Sequence, residues 1–174
     1  MIELERTYLA KYLPDGLSTC PSREMLDMYL PVSSRHPVLR IRKNGEKLEM
    51  TKKSPVVDGD SSKQEEQTIR LSREEFVALV GMEGKRVGKT RYLYEIDGHT
   101  AEVDVFVGAL SGLVLVDFEF ETEAEKDAFP IPEFCLAEVT QEEFIAGGFL
   151  AGKSYDDIAP GLARFGYERI ETKY

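Results

Sequence analysis

Polar and apolar residues alternate with a period of two over residues 2–10, 38–43, 47–53, 64–71, 86–96, 99–107 and 113–121. Side chains at i and i+2 of an extended strand share a face, so each stretch reads as a strand with one polar and one apolar side. Asp97-Gly98 falls between two of these strands, and a pair tolerant of positive φ there joins residues 86–107 into one hairpin. Helices are announced by a hydroxyl residue with an acid three positions on: Ser72 with Glu75, Thr122 with Glu125, Thr140 with Glu143, and Ser154 with Asp157. In such a box the hydroxyl accepts from the N3 amide while the N3 carboxylate accepts from the N-cap amide, so four helices or helical turns are expected. Tyr155, Ile158, Leu162 and Phe165 follow the last box at helical spacing and read as a packing helix, or a lid over one end of the strands. Residues 54–63 (SPVVDGDSSK) read as a surface loop, and Gly147-Gly148 and Gly152 as breaks between helices.

The polar phase of the strands is segregated by charge. Glu3 and Glu5 flank Leu4, Glu102 and Asp104 flank Val103, and Asp117, Glu119 and Glu121 alternate with Phe118 and Phe120. Arg40 and Arg42 flank Ile41, Thr51 shares a phase with Lys53, and Lys89 and Arg91 flank Thr90. A solvated sheet face accounts for any one pair. Strands that are wholly acidic or wholly basic, backed by an apolar phase fit for a core, favour charged faces that curve together into a barrel with a polar interior. Guanidinium and ammonium groups there match a row of phosphates. Carboxylates do not bind phosphate, but they hold Mg²⁺ or Mn²⁺ through hard oxygens, and the metal bridges to the phosphate.

Composition narrows the class further. The chain has 174 residues, 42% of them hydrophobic, and a net charge of −10, which suits one domain with its own core. The acidic balance argues against nucleic acid as a partner. No apolar run is long enough for a membrane span and no signal pattern opens the chain, so no membrane and a cytoplasmic location are expected. Cys20 and Cys135 have no ligand spacing and read as free thiols. His36 reads as a loop residue able to reach a substrate but more simply solvated, and His99 as exposed beside its turn. Neither has a second histidine at zinc spacing, and there is no P-loop or Gly-x-Ser-x-Gly.

Seven segments in order carry a resemblance: ELERTYL at 3–9, RIR at 40–42, MTKK at 50–53, KTRY at 89–92, EVDVF at 102–106, GLVLVDFEFE at 112–121 and EVT at 138–140. Over residues 2–152 the chain resembles the CYTH, or triphosphate tunnel metalloenzyme, superfamily. The resemblance implies an α+β, β-dominated fold: an eight-stranded antiparallel β-barrel tunnel with a few helices packed outside. It implies one domain over 1–174, with 153–174 as a packing helix or tunnel plug. Arg40, Arg42, Lys53, Lys89 and Arg91 would bind the triphosphate. Glu3, Glu5, Asp117 and Glu119 would hold Mg²⁺ or Mn²⁺, with Asp117 standing where the family usually has Glu. Glu102 and Asp104 would organise cations and water, joined by Glu66 if it shares a phase with Thr68; Glu65 with Gln67 is the alternative register. Thr7 replaces the lysine of the family's Glu-x-Glu-x-Lys strand, and its hydroxyl should point inward. The implied activity is metal-dependent hydrolysis of a triphosphate, inorganic first, nucleoside or thiamine triphosphate next, by a monomer or homodimer. A class IV-type adenylyl cyclase, a non-catalytic polyphosphate- or nucleotide-binding module, and an acidic barrel without a ligand remain as alternatives.

Overall fold

The described residues form nine strands: β1 (Ile2–Ala10), β2 (Ser22–Leu30), β3 (Leu39–Asn44), β4 (Lys47–Pro55), β5 (Lys63–Arg70), β6 (Lys85–Ile96), β7 (His99–Phe106), β8 (Val114–Phe120) and β9 (Cys135–Glu138). The structure is a computed structural model, and it describes residues 1–171. All pairings are antiparallel, in the order β5-β4-β3-β2-β6-β7-β8-β1. A further pairing of β1 with β5, Glu3 opposite Gln64, closes eight of them into a barrel, while β9 pairs with the far end of β1. Asp97 (φ 49°) and Gly98 (φ 80°) make the expected hairpin turn between β6 and β7.

Closure sorts the two phases. The outward phase of β7, β8 and β1 builds one core: Val103, Val105, Val116, Phe118 and Tyr8 are at most 3% exposed and pack with Leu17, Phe134 and Cys135. The inward phase is charged for most of its length and then turns apolar, at Leu9, Phe106 and Leu115, where a second core forms. Into that core pack Ile145, Leu150 of α3 (Gly147–Leu150), and Ile158 and Leu162 of α4 (Tyr155–Ala163). Residues 172–174, the tail of the expected C-terminal segment, lie outside the described residues.

The remaining helices lie on the barrel's outside. Complete capping boxes at Ser72 and Ser154 start α1 (Arg73–Val80) and α4. Thr122 caps α2 (Glu123–Ala128) by accepting from the Glu125 amide, while the Glu125 carboxylate takes the amide of Glu121. The Thr140 box does not form. Its hydroxyl accepts from the Thr7 amide (3.1 Å) and donates to Glu138, so it serves β1 rather than a helix start, and residues 143–145 make only an uncapped 3-10 turn.

Other expectations shift as well. β2 and β9 are strands that the alternation did not mark, and β4 runs on to Pro55, which leaves residues 56–62 as the loop. Gly147-Gly148 open a helical turn instead of breaking one: a Cβ on Gly147 would run into the Tyr29 hydroxyl, and one on Gly148 into the Pro37 carbonyl. His99 is packed rather than exposed, its ring edge-on to Phe129 at 4.9 Å and Nδ1 3.7 Å from Glu125.

Candidate active site

The charged inward phases converge on one cavity of about 510 Å³, lined by Glu5, Thr7, Arg40, Arg42, Lys53, Lys89, Arg91, Glu102, Asp104, Asp117 and Glu119. Glu3 and Glu66 join it through the Lys53 ammonium, which lies 2.5 Å from Glu3, 3.3 Å from Glu5 and 3.7 Å from Glu66. The sheet therefore gathers the expected site residues around one cavity, Glu3 and Glu66 beside its lining rather than in it. Glu66 is the inward residue of β5: Thr68 donates to it at 2.7 Å and Arg40 stands 3.4 Å away, which settles the register in favour of Glu66 over Glu65.

Each cation has a carboxylate beside it. Arg91 donates through Nε (2.6 Å) and Nη2 (2.7 Å) to Asp104, and contacts Glu102 and Asp117 (3.2 Å). Lys89 also donates to Asp104. Burial alone would raise the Asp104 carboxyl, but Arg91 and Lys89 outweigh it and hold the group well below the usual carboxylate range. For Lys89 burial wins over Asp104 and its pKa falls, whereas for Lys53 the charges of Glu5 and Glu3 outweigh burial and its pKa rises. Glu66 is lowered, the hydrogen bond from Thr68 and the charges of Lys53 and Arg40 overcoming burial.

The carboxylates outnumber these cations, and the surplus sits at Glu119. Among the described residues it has no ion pair; burial and then the charges of Glu102 and Glu3 push its pKa up. Asp117 is raised too, by burial and by Asp104, against the pull of Arg91 and Lys89. Thr7 donates to Asp117 at 2.7 Å, so residue 7 points inward as expected. Among the described residues no three His, Cys, Asp or Glu side chains are gathered into a ready metal cage. The donors are hard carboxylate oxygens, and Glu119 is without a cation partner among the described residues while Glu102 and Glu3 repel it, which suits a divalent cation that keeps its own waters.

Sequence reasoning missed the residues that β2 contributes. Asp27 accepts from Arg42 Nε and Nη2, both at 2.6 Å, Arg23 stands 3.6 Å from Glu102, and Tyr29 lines the cavity. Gln64 of β5, which donates to Glu5 at 2.9 Å, was missed as well. At the rim, His36 lies 3.6 Å from Glu143. The thiols stay outside this chemistry: Cys20 and Cys135 are free, and burial pushes the Cys135 thiol up to about 12. No helix among the described residues is long and apolar enough to cross a membrane.

Known proteins resemble this chain in sequence and in fold. The family model of the CYTH domain matches residues 18–132. Over 146 residues the chain is 39% identical to an inorganic triphosphatase of Nitrosomonas europaea, covering 82% of this chain and 92% of the relative. A crystal structure of an inorganic triphosphatase superposes with a TM-score of 0.63 at 32% identity, over 87% of this chain and 95% of the other. A conserved hypothetical protein of Pyrococcus furiosus shares the fold at 23% identity, with a TM-score of 0.53 over 72% of this chain and 83% of the other.

Proposed function

The chain belongs to the CYTH family, and from that premise we propose that it hydrolyses a phosphoanhydride bond of a triphosphate with the help of a divalent cation. The observation that carries the reading is the single cavity in which Arg40, Arg42, Lys53, Lys89 and Arg91 meet a surplus of carboxylates. Five cations in one enclosure suit a polyanion. Because each of them already has a carboxylate partner, the tunnel has little net positive charge to offer, which supports a requirement for an added cation.

In the proposed reaction Arg40, Arg42 and Lys53 grip the phosphate chain, and Lys89 and Arg91, locked by Asp104, face the charge that develops as the bond breaks. Glu66 keeps Arg40 and Lys53 in place, and Glu102 keeps Arg91 in place and orients the attacking water. The water oxygen bonds to a terminal phosphorus while the bond from that phosphorus to the bridging oxygen breaks. The electron pair leaves with pyrophosphate, and the water proton passes to a carboxylate or to solvent. Mg²⁺ or Mn²⁺ would be held by Glu3, Glu5 and Glu119, with Asp117 deeper, and when bound supplies further neutralisation of phosphate charge.

Inorganic triphosphate stands first as the substrate, because the lining offers Tyr29, Phe106 and the rim residue His36 as its rings and the chain has no Trp to stack on a base. Nucleoside and thiamine triphosphates follow. The name of the Nitrosomonas relative supports the same order. We further read residues 1–174 as one tunnel domain whose C-terminal segment plugs the apolar end, working in the cytoplasm as a monomer or homodimer without nucleic acid. Free thiols suit that reducing compartment. A phosphate-release panel with inorganic triphosphate, ATP, thiamine triphosphate and pyrophosphate, each with Mg²⁺ and with Mn²⁺, tests the reading. Release from triphosphate that stops on chelation is expected. Triphosphate that raises the melting temperature without release would instead make the protein a binding module.

A further inference from the structure

Strand β2 runs between the two basic strands of the barrel, β3 with Arg40 and Arg42 on one side and β6 with Lys89 and Arg91 on the other. Neighbouring strands are about 4.8 Å apart, so β3 and β6 stand about 10 Å apart across β2, and Arg42 and Arg91 repel each other over that poorly solvated distance. Asp27 is the residue of β2 at that point. It is the register partner of Arg42 and is 6% exposed, and Arg42 is 8% exposed. The two form a parallel fork, Nε to Oδ1 and Nη2 to Oδ2, each at 2.6 Å.

We propose that Asp27 is a positioning residue for the triphosphate site: its fork fixes the plane of the Arg42 guanidinium, and its charge allows the cations of β3 and β6 to stand together. This rests on the tunnel's reading as a triphosphate site. A guanidinium has five N–H donors. The fork takes the Nε hydrogen and one on Nη2, which leaves both Nη1 hydrogens and the second Nη2 hydrogen for an anion in the cavity that Arg42 lines. A buried ion pair is by itself a poor source of stability, since the desolvation of both groups offsets their attraction. Orientation of the donor edge is what the pair adds. Burial would raise the Asp27 carboxyl, yet Arg42, followed by Arg40 and Lys89, holds it below the usual carboxylate range.

The test is the kinetics of triphosphate hydrolysis by the full chain. Asp27→Asn keeps the volume and one acceptor but loses the charge and the fork. It should raise KM for inorganic triphosphate about tenfold to a hundredfold and leave kcat within a few-fold. Arg42→Lys keeps both charges but cannot form the fork and should give the same split; if Asp27→Asn does not fold, Asp27→Glu, which keeps the charge and displaces the fork by one methylene, carries the test, with a raised KM expected and an unchanged KM overturning the proposal. In the double variant the two losses should not multiply, because each removes the same contact. An unchanged KM in folded Asp27→Asn, a loss confined to kcat, or fully multiplicative losses would each overturn the proposal. A parent that releases no phosphate overturns the triphosphatase reading instead. The readout then becomes the triphosphate-induced rise in melting temperature: a smaller rise in Asp27→Asn than in the parent supports the positioning role, and an equal rise, or none in either, overturns it.

Discussion

The arc of β7, β8 and β1 and the arc of β6, β2, β3, β4 and β5 face each other across the tunnel and hold their charges in different ways. Behind the first arc lies a core in which Val103, Val116, Phe118 and Tyr8 are fully buried, and in front of it stand Glu3, Glu5, Glu102, Asp104, Asp117 and Glu119. Behind the second the cover is thin: α1 has no buried residue, Leu26 and Ile69 are 53% and 56% exposed, and an apolar groove of about 430 Å³ runs between Phe76, Val80, Leu26, Met28 and Ile41. The cations of this arc are fixed by partners at their side: Asp27, Glu66, and Asp104 reaching over from β7. Packing behind a wall can hold a carboxylate among like charges against their repulsion, as at Glu119. A wall with thin backing needs ion pairs to aim its groups.

The sharpest way to break this contrast is to remove a cation that ties the arcs together. Arg91→Ala leaves buried Asp104 with Lys89 alone and strips Glu102 and Asp117 of a partner; it should cost about 3–5 kcal/mol in urea unfolding, and a cost below about 1 kcal/mol would contradict the account. Arg40→Ala should spare the fold, since Glu66 keeps Thr68 and Lys53. It should weaken triphosphate binding by about 1.5–3 kcal/mol in titration calorimetry, and diphosphate by less. Equal losses on both ligands would mean that Arg40 is not aligned along a phosphate chain.

Thr7→Lys sharpens the contrast by adding a cation to the acidic arc, beside Asp117. Triphosphate should be bound or turned over a few-fold better, and a variant matching the parent on every substrate would show that residue 7 does not meet the ligand. The smallest effect is expected from Glu119→Gln. A raised carboxyl pKa means that the folded state binds the proton more tightly than the unfolded chain, so ionisation of Glu119 costs stability above its unfolded pKa. The amide removes that cost: the melting temperature of the ligand-free protein should rise by about 2 °C or less at neutral pH, the gain shrinking as the pH falls through the raised pKa, while metal-dependent turnover drops.

What the sequence made legible follows the same division. In the acidic arc a buried outer phase and a charged inner phase alternate cleanly, so β1, β7 and β8 and their carboxylates stand out residue by residue. β2 hides because both of its faces carry large apolar side chains: Met25 and Tyr29 share the inner face with Asp27, and Leu26, Met28 and Leu30 share the outer one. With no polar phase to see, the strand was missed, and with it Asp27 and Arg23. β9 is four residues long, too short for a period to register. Thr140 and Glu143 matched a capping box by spacing, but spacing does not reveal that an amide of β1 competes for the hydroxyl.

Gly147 and Gly148 lie outside the charged lining proper, one under the Tyr29 hydroxyl and the other against the Pro37 carbonyl, with no space at either for a Cβ. In a library of all single substitutions these two would rank among the least forgiving positions of the chain, level with the tunnel arginines, although neither has a side chain to lose. Pro37 is backbone and cannot step aside as a flexible chain end would, so Gly148 should tolerate even alanine less well than Gly147. The map of mutational tolerance would then trace two things at once: where the charges are, and where the segment 31–38 comes to rest on the start of α3.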